Sequence, residues 1–337
     1  MPSVVCLGEA LIDMVSLEKG VNLEHAPGFE KAAGGAPANV AAGVAILGTD
    51  AGFIGKVGDD FCGRFLHETL YDADVDLTNF ILDPTHRTQL AFVTVLADGS
   101  PDFTFYIERS ADMTLAPEEL DEEYLAEADV FHFGSITLIN EPVRSATLRA
   151  IEVAADSGAL VSYDPNLRRP LWPDEATAQR EITAAIELCD VIKISEVELE
   201  FITGTDDLVR GSAEILAKGP ELVSVTLGGE GCYFDNGKAR GHLPGFRVPV
   251  EETTGCGDAF VAATLVGLLE HMQDGREPGD LDEDELSQIF TFANAAGALT
   301  ATAKGAIPSL PPREEVEEFL RDRRSECSGE ESEESEG

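Results

Sequence analysis

The sequence is short of positive charge. Its 337 residues hold 23 Lys and Arg against 64 Asp and Glu, a formal net charge of −41, and only seven of the bases are lysine. Nucleic-acid binding rests on Lys and Arg neutralising phosphates, so no nucleic-acid partner is expected. Cysteine is sparse and scattered (Cys6, Cys62, Cys189, Cys232, Cys256, Cys327), with no C-x-x-C pair. That argues against a disulfide framework or a structural zinc site and fits a reduced, cytoplasmic setting. No apolar run reaches the roughly 18 residues of a membrane span, so no membrane partner is expected. The N-terminus lacks a basic n-region, and no signal peptide is expected. No internal repeat is present.

What is present is a core-forming chain, 43% hydrophobic, of the size of one large α/β domain. Short apolar runs at 4–7, 51–54, 130–133, 160–163, 191–194 and 222–227 read as strands. Helical patterns at 38–47, 60–72, 142–157 and 176–188 lie between them. The last third is helix-rich, at 258–272, 283–302 and 312–323. This alternation predicts a mostly parallel sheet with helices on both faces, a three-layer αβα sandwich. Residues 11–16, 88–97 and 102–107 alternate with period two instead, and Asp98-Gly99 suggests a hairpin turn. They predict a small β-lid, inserted at about 11–34 and 86–112 into a domain spanning 1–324. The segment 325–337 holds six of the excess acids and no base, and is expected to be a disordered acidic tail. The remaining surplus is spread over the folded part. Self-repulsion on that scale favours salt, which shortens the Debye length to about 3 Å at molar concentration. A salt-adapted protein is expected.

The chemistry concentrates at Thr253-Thr254-Gly255-Cys256-Gly257-Asp258. A Gly-X-Gly turn opens an apolar helical run, and unpaired helix-start amides attract anions. A carboxylate in the first helical turn is of little use for holding phosphate alone. It suits a site that also deprotonates a hydroxyl. By itself the turn is equally a structural one with Asp258 as an ordinary helix-start acid. Other polar residues follow strand-like runs: Asp13, Ser135, Asp164, Asn166, Ser195, Glu198, Gly228 and Gly229. In open α/β sheets ligands bind beyond the carboxyl ends of strands.

Gly34-Gly35-Ala36-Pro37-Ala38-Asn39-Val40-Ala41, opening a helix, resembles the N-terminal signature of the ribokinase-like (phosphofructokinase-B type) carbohydrate kinases. The 253–258 turn resembles their C-terminal signature. The resemblance runs from about residue 3 to 320. No Walker A sequence is present, so a P-loop kinase does not compete. Segments around Phe131–Ser135, Ser162–Arg168, Pro170–Pro173, Glu196–Phe201 and Ser110–Met113 look most like fructokinases.

The resemblance implies an ATP-dependent sugar kinase acting with Mg²⁺ and a small-molecule sugar. Asp258 would be the base, and the amides of Gly255, Cys256 and Gly257 the anion hole. Asp13, Gly34, Gly35 and Asn39 would bind the sugar, with Arg87, Arg109 and Arg168 as the cations nearby. Lys193, Thr226, Gly228, Gly231, Asn294 and Gly305 would lie on the nucleotide side. Glu198 would organise Mg²⁺ through water. D-fructose phosphorylated at the 6-hydroxyl is the first reading. 2-Keto-3-deoxygluconate kinase and ketohexokinase are the alternatives on the same fold, and a non-catalytic sugar or nucleotide sensor is the alternative of another class.

Three departures from the family pattern stand out. Glu252 replaces the Asp that starts the second signature, which puts a monovalent-cation (K⁺) site in doubt. Cys256 replaces an Ala, and a thiol at a helix N-terminus would have a lowered pKa and be open to oxidation. Fructokinases often read Tyr-Arg-Asn-Pro-Ser-Ala-Asp where this chain reads Tyr106-Ile107-Glu108-Arg109-Ser110-Ala111-Asp112. A two-residue displacement along a strand would keep the arginine on the same face. Exposed lid strands would also invite a homodimer.

Overall fold

The computed structural model describes residues 2–95, 101–272 and 275–334. Strand β1 (Val4–Leu7) has all four side chains fully buried. A strand covered on both faces belongs inside a parallel sheet. Its alternate residues feed different cores. Val4 and Cys6 pack in one hydrophobic cluster, and Val5 and Leu7 in the other. The two-residue period of a strand thereby becomes a three-layer architecture.

In chain order, β2 (Leu11–Ser16) and β3 (Phe29–Gly34) leave the main sheet. The chain returns with α1 (Ala36–Ile46), β4 (Ala51–Gly58), α2 (Phe61–Asp72) and β5 (Phe80–Asp83). It leaves again with β6 (Leu90–Val95) and β7 (Pro101–Phe105). Then follow α3 (Glu122–Ala126), β8 (Val130–Gly134), α4 (Val143–Asp156), β9 (Leu160–Asp164), α5 (Glu175–Ile186) and β10 (Val191–Ser195). Next come α6 (Glu196–Thr203), α7 (Leu208–Leu216), β11 (Leu222–Thr226), β12 (Cys232–Asp235) and β13 (Arg240–Leu243). The last helices are α8 (Cys256–Met272), α9 (Glu283–Thr300) and α10 (Arg313–Glu334).

The main sheet has nine strands in the order β13-β12-β11-β10-β9-β8-β1-β4-β5, parallel except for the antiparallel edge β12–β13. Helices α1, α2, α8 and α9 cover the face fed by Val4 and Cys6. Helices α3 to α7 cover the other. A separate four-stranded sheet, β3-β2-β6-β7, takes β2, β6 and β7 from the period-two regions and adds β3.

Three features differ from the sequence reading. Strands β5, β12 and β13 are short, and β3 carries no clean alternation. Helices α6 and α7 were not anticipated, although α6 opens on a full capping box in which Ser195 and Glu198 satisfy each other's backbone amides. The backbone stays helical through Glu334, past the expected boundary at 324, as Glu-rich sequence permits. Asp98-Gly99 lies outside the described residues.

Candidate active site

Strand order sets where the site lies. The chain runs from β1 to β4 on one side and to β8 and beyond on the other. The switch point of a doubly wound sheet is therefore at the carboxyl end of β1, where crevices form. A cavity of about 400 Å³ opens there, lined by Glu9, Asp13, Gly35, Asn39, Arg168 and Lys193, and across from them by Glu252, Gly255, Gly257, Asp258 and Gly305.

Two helix starts meet at this cavity. Gly255 has φ +83°, and a Cβ there would stand 2.9 Å from Ala306 Cα, so the turn before α8 requires glycine. Asp258, in the first turn of α8, is only 9% exposed. Its Oδ2 accepts a 2.8 Å hydrogen bond from Asn39 Nδ2 of α1. Burial pushes the Asp258 carboxyl up to about 6; Asn39 lowers it, Asp164 raises it, and Lys193 and Arg168 lower it. It is therefore largely ionised at neutral pH and able to accept a proton.

The Asn39–Asp258 contact depends on close helix packing one turn further on. A Cβ on Gly43 would come within 2.8 Å of Ala262 Cβ. Asn39 and Gly43 share one helix face, as do Asp258 and Ala262, by i,i+4 spacing. Gly43→Val is expected to cost about 1–3 kcal/mol in stability by overpacking. By stretching the Asn39–Asp258 contact it should also lower kcat by about tenfold or more. Melting curves and turnover on the same preparation check this; lost stability with unchanged kcat would reduce the contact to a structural one.

At the other end of the cavity, Gly34 leaves room for a carboxylate, since a Cβ there would lie 2.1 Å from Asp13 Oδ2. Burial pushes Asp13 up to about 6, against the lowering effect of Arg168. Asp13 accepts no hydrogen bond from the described residues, so its oxygens are open to hydroxyl donors.

Between the two ends, Lys193 Nζ bonds Asp164 Oδ2 at 2.9 Å across adjacent strands. Burial acts to lower its pKa, but Asp164, Glu198 and Asp258 outweigh that and hold it raised. A Cβ on Gly257 would lie 3.1 Å from Lys193 Nζ, so this cation reaches the anion-binding turn itself. Both Glu198 oxygens are engaged by protein donors. Its Oε1 accepts from Leu167 N at 2.6 Å, and its Oε2 from Ser195 N and Oγ, both at 2.8 Å. Glu252 takes Thr254 Oγ1 on one oxygen at 2.7 Å and the Gly305 amide on the other at 3.0 Å. It ties the anion turn to the loop before α10. No group of three or more His, Cys, Asp or Glu among the described residues is arranged to hold a metal.

Some expected residues are not brought into this cavity. Strand β7 ends at Phe105, and Arg109 sits in an exposed turn beyond it, so the same-face argument does not apply. Arg87 is exposed in the loop before β6, where its carbonyl accepts the Ala111 amide. Thr226 and Gly228 lie at the end of β11 outside the cavity, and Gly231 is required by the approach of Leu243 O, 2.0 Å from where its Cβ would be. Asn294 is buried in α9 beside Cys232. The Cys256 amide donates to Thr253 O at 3.3 Å, and of the three expected anion-hole residues Gly255 and Gly257 line the cavity while Cys256 does not. The lowered Cys256 thiol is corrected outright: burial pushes it up to about 11, with Asp258 and Glu252 adding to the rise. Two buried carboxyls were missed, Glu9 and Asp112. Each stands next to a motif that the sequence does mark, but nothing in the sequence separates them from solvated acids.

A helix-start turn of glycines, a buried carboxylate facing it and open carboxylate oxygens beyond suit a phosphotransferase of the three-layer αβα class. The comparisons narrow this. Residues 1–313 match the family model described as pfkB family carbohydrate kinase. Fructokinase-1 of Oryza sativa subsp. japonica is 49% identical over 93% of this chain and 96% of its own length. The structure of a fructokinase with bound ATP from Xylella fastidiosa superposes with a TM-score of 0.85 at 31% identity, covering 96% of this chain and all of that one (100%). A fructokinase double mutant from Vibrio cholerae O395, in a form with fructose, ADP and potassium ion bound, gives 0.82 at 34% identity over 95% and 99% of the two chains. The chain belongs to the pfkB family of carbohydrate kinases.

Proposed function

We propose that the chain is an ATP-dependent fructokinase that transfers the γ-phosphoryl group to the 6-hydroxyl of D-fructose. The observation that carries this reading is the single cavity holding Asp13, Asn39, Asp258 and the start of α8 together. Asp13 and Asn39 orient the sugar. Asp258 takes the proton of the attacking hydroxyl. The Gly255–Gly257 turn and Lys193 face the charge that develops on the transferred group. The small sheet excludes water, which would otherwise compete as acceptor. Among the described residues Arg168 is the one arginine lining the cavity. That favours a neutral sugar over 2-keto-3-deoxygluconate, whose carboxylate calls for further cations.

Magnesium suits this site as a nucleotide-borne ion. The Glu198 oxygens already accept three protein hydrogen bonds, which leaves them to orient waters rather than to cage a metal. When bound with the nucleotide, Mg²⁺ would offset phosphate charge. A potassium ion would share Glu252 with Thr254 and Gly305. No described helix is long and apolar enough to cross a membrane. Five described cysteines are free, which suits a reduced, cytoplasmic setting. The acidic surface supports a salt-rich one without nucleic-acid partners. The edges of the small sheet suit pairing with a second copy.

A coupled ADP-release assay with ATP, Mg²⁺ and molar KCl across fructose, 2-keto-3-deoxygluconate, ribose and adenosine tests the reading. Fructose should give the highest kcat/KM, and NMR of the product should show the 6-phosphate. Another preferred acceptor would replace the substrate assignment; no ADP release with any of them would favour the sensor.

A further inference from the structure

The chain passes between the main sheet and the small sheet at a few points, and buried carboxyls sit at two of them. The outgoing crossing is Gly8-Glu9-Ala10, between β1 and β2. The returning one is Gly34-Gly35-Ala36, between β3 and α1. They press together: a Cβ on Gly35 would lie 2.3 Å from Glu9 O, and one on Gly8 would lie 2.3 Å from Pro37 Cγ. Gly35 is the N-cap of α1 and has no side chain to hold the helix's first amides. Glu9 supplies that function from the other crossing, its Oε1 accepting the Ala36 amide at 3.1 Å.

The rest of the Glu9 carboxyl is unexplained by packing. The residue is 3% exposed and lines the cavity, and its Oε2 has no hydrogen-bond partner. Asp112 stands where the chain returns after β7. It is also buried, has an unpartnered Oδ1, and lies close enough to repel Glu9. Burial pushes its carboxyl up to about 6, against the lowering effect of Ser110 and the amides of Asp112 and Met113. Two buried like charges with orphan oxygens are costly unless one takes a proton.

We propose that Glu9 is a positioning residue for sugar recognition: its buried carboxyl clamps the Gly34-Gly35-Ala36 turn to the outgoing crossing, and so helps set Asp13 and Asn39 in register for the sugar. Asp13 follows Glu9 by four residues in the same chain segment, and Asn39 follows Ala36 by one helical turn. This hydrogen bond joins the two segments that carry the sugar-end groups. Burial pushes Glu9 up to about 8, with its own amide, Asp112, the Ala36 amide and Arg168 as further influences, the amides and Arg168 lowering and Asp112 raising. The neutral form therefore prevails at pH 7.

The inference rests on the sugar-kinase reading, and the experiment separates the two. Wild type, Glu9→Gln and Glu9→Ala are assayed for ADP release with sugar and ATP varied independently from pH 6.5 to 9.5. Glu9→Gln keeps an acceptor for Ala36 and cannot ionise. It should hold its sugar KM within about threefold of wild type, whereas Glu9→Ala should raise it about tenfold or more with ATP KM unchanged. Wild-type sugar KM should climb above pH 8 or so, as ionised Glu9 meets ionised Asp112, and Glu9→Gln should stay flat there. Equal damage in both variants, a parallel rise in ATP KM, or a pH limb that persists in Glu9→Gln would overturn the assignment. If Glu9→Ala does not fold, the Glu9→Gln pH profile alone decides. Wild-type enzyme inactive on every sugar would instead sink the functional reading.

Discussion

Asp258→Asn should lose nearly all turnover and gain stability. The loss follows from position: the carboxylate lies in the first turn of α8, against the anion-binding glycines and within 2.8 Å of the Asn39 amide. An asparagine fills the same space but cannot accept the hydroxyl proton. General-base removal costs on the order of 10²–10⁴ in rate. ATP KM should change little, because the turn glycines and Lys193 remain. The gain follows from burial. A carboxyl whose folded pKa is raised destabilises the fold wherever it is ionised, fully so above its folded pKa. Asp258 rises from an ordinary 3.8 to about 6. At roughly 1.4 kcal/mol per unit, removing the charge is worth on the order of 1–3 kcal/mol. That gain should appear in melting curves at pH 8 and fade as pH falls toward 4, where wild type is neutral too. The kcat/KM of wild type should fall as pH drops through about 6, the range in which both Asp258 and Asp13 take up protons. Near-wild-type turnover in Asp258→Asn would falsify the base assignment. Lost turnover together with lost stability would mean that Asp258 is a structural residue.

The trade between charge and function also shows what a sequence can carry. Strands β1 and β2 were legible to the residue, one as a wholly apolar run and the other as a short run of mixed polarity with a loose two-residue period. The anion turn was legible because glycines next to an apolar helix have few other uses. Position 109 misled because period-two reasoning assumes that the strand continues, and β7 stops at Phe105. Pairs across strands or helices were beyond reach. Lys193 meets Asp164 29 residues away, and Asn39 meets Asp258 219 residues away. Such contacts arise from sheet order, which local pattern does not encode. Glu9 was hidden for a further reason. In an unusually acidic chain one more acid after a strand looks solvated, and only burial reveals that it carries no counter-ion of its own.

The melting temperature should rise steeply with KCl, by about 10 °C or more between low and molar salt. Two electrostatic effects oppose each other here. Screening weakens the ion pairs on the surface, such as Arg149 with Glu122 and Glu152 or Arg313 with Glu270. Exposed pairs of this kind are worth about 0–1 kcal/mol each, so little is lost. Screening also weakens repulsion among the carboxylates that have no base to meet. With 64 acids and 23 bases, these outnumber the pairs on any assignment. The Debye length falls from about 30 Å at 0.01 M to about 3 Å at 1 M, so neighbouring charges decouple over that range. Most of the rise should therefore come below about 1 M, and NaCl should match KCl. A flat or falling curve would mean that the surface pairs outweigh the surplus. The buried Lys193–Asp164 pair is shielded from bulk ions by the protein around it. Turnover should accordingly follow the folded fraction as salt is raised, with the sugar KM nearly constant once the chain is folded.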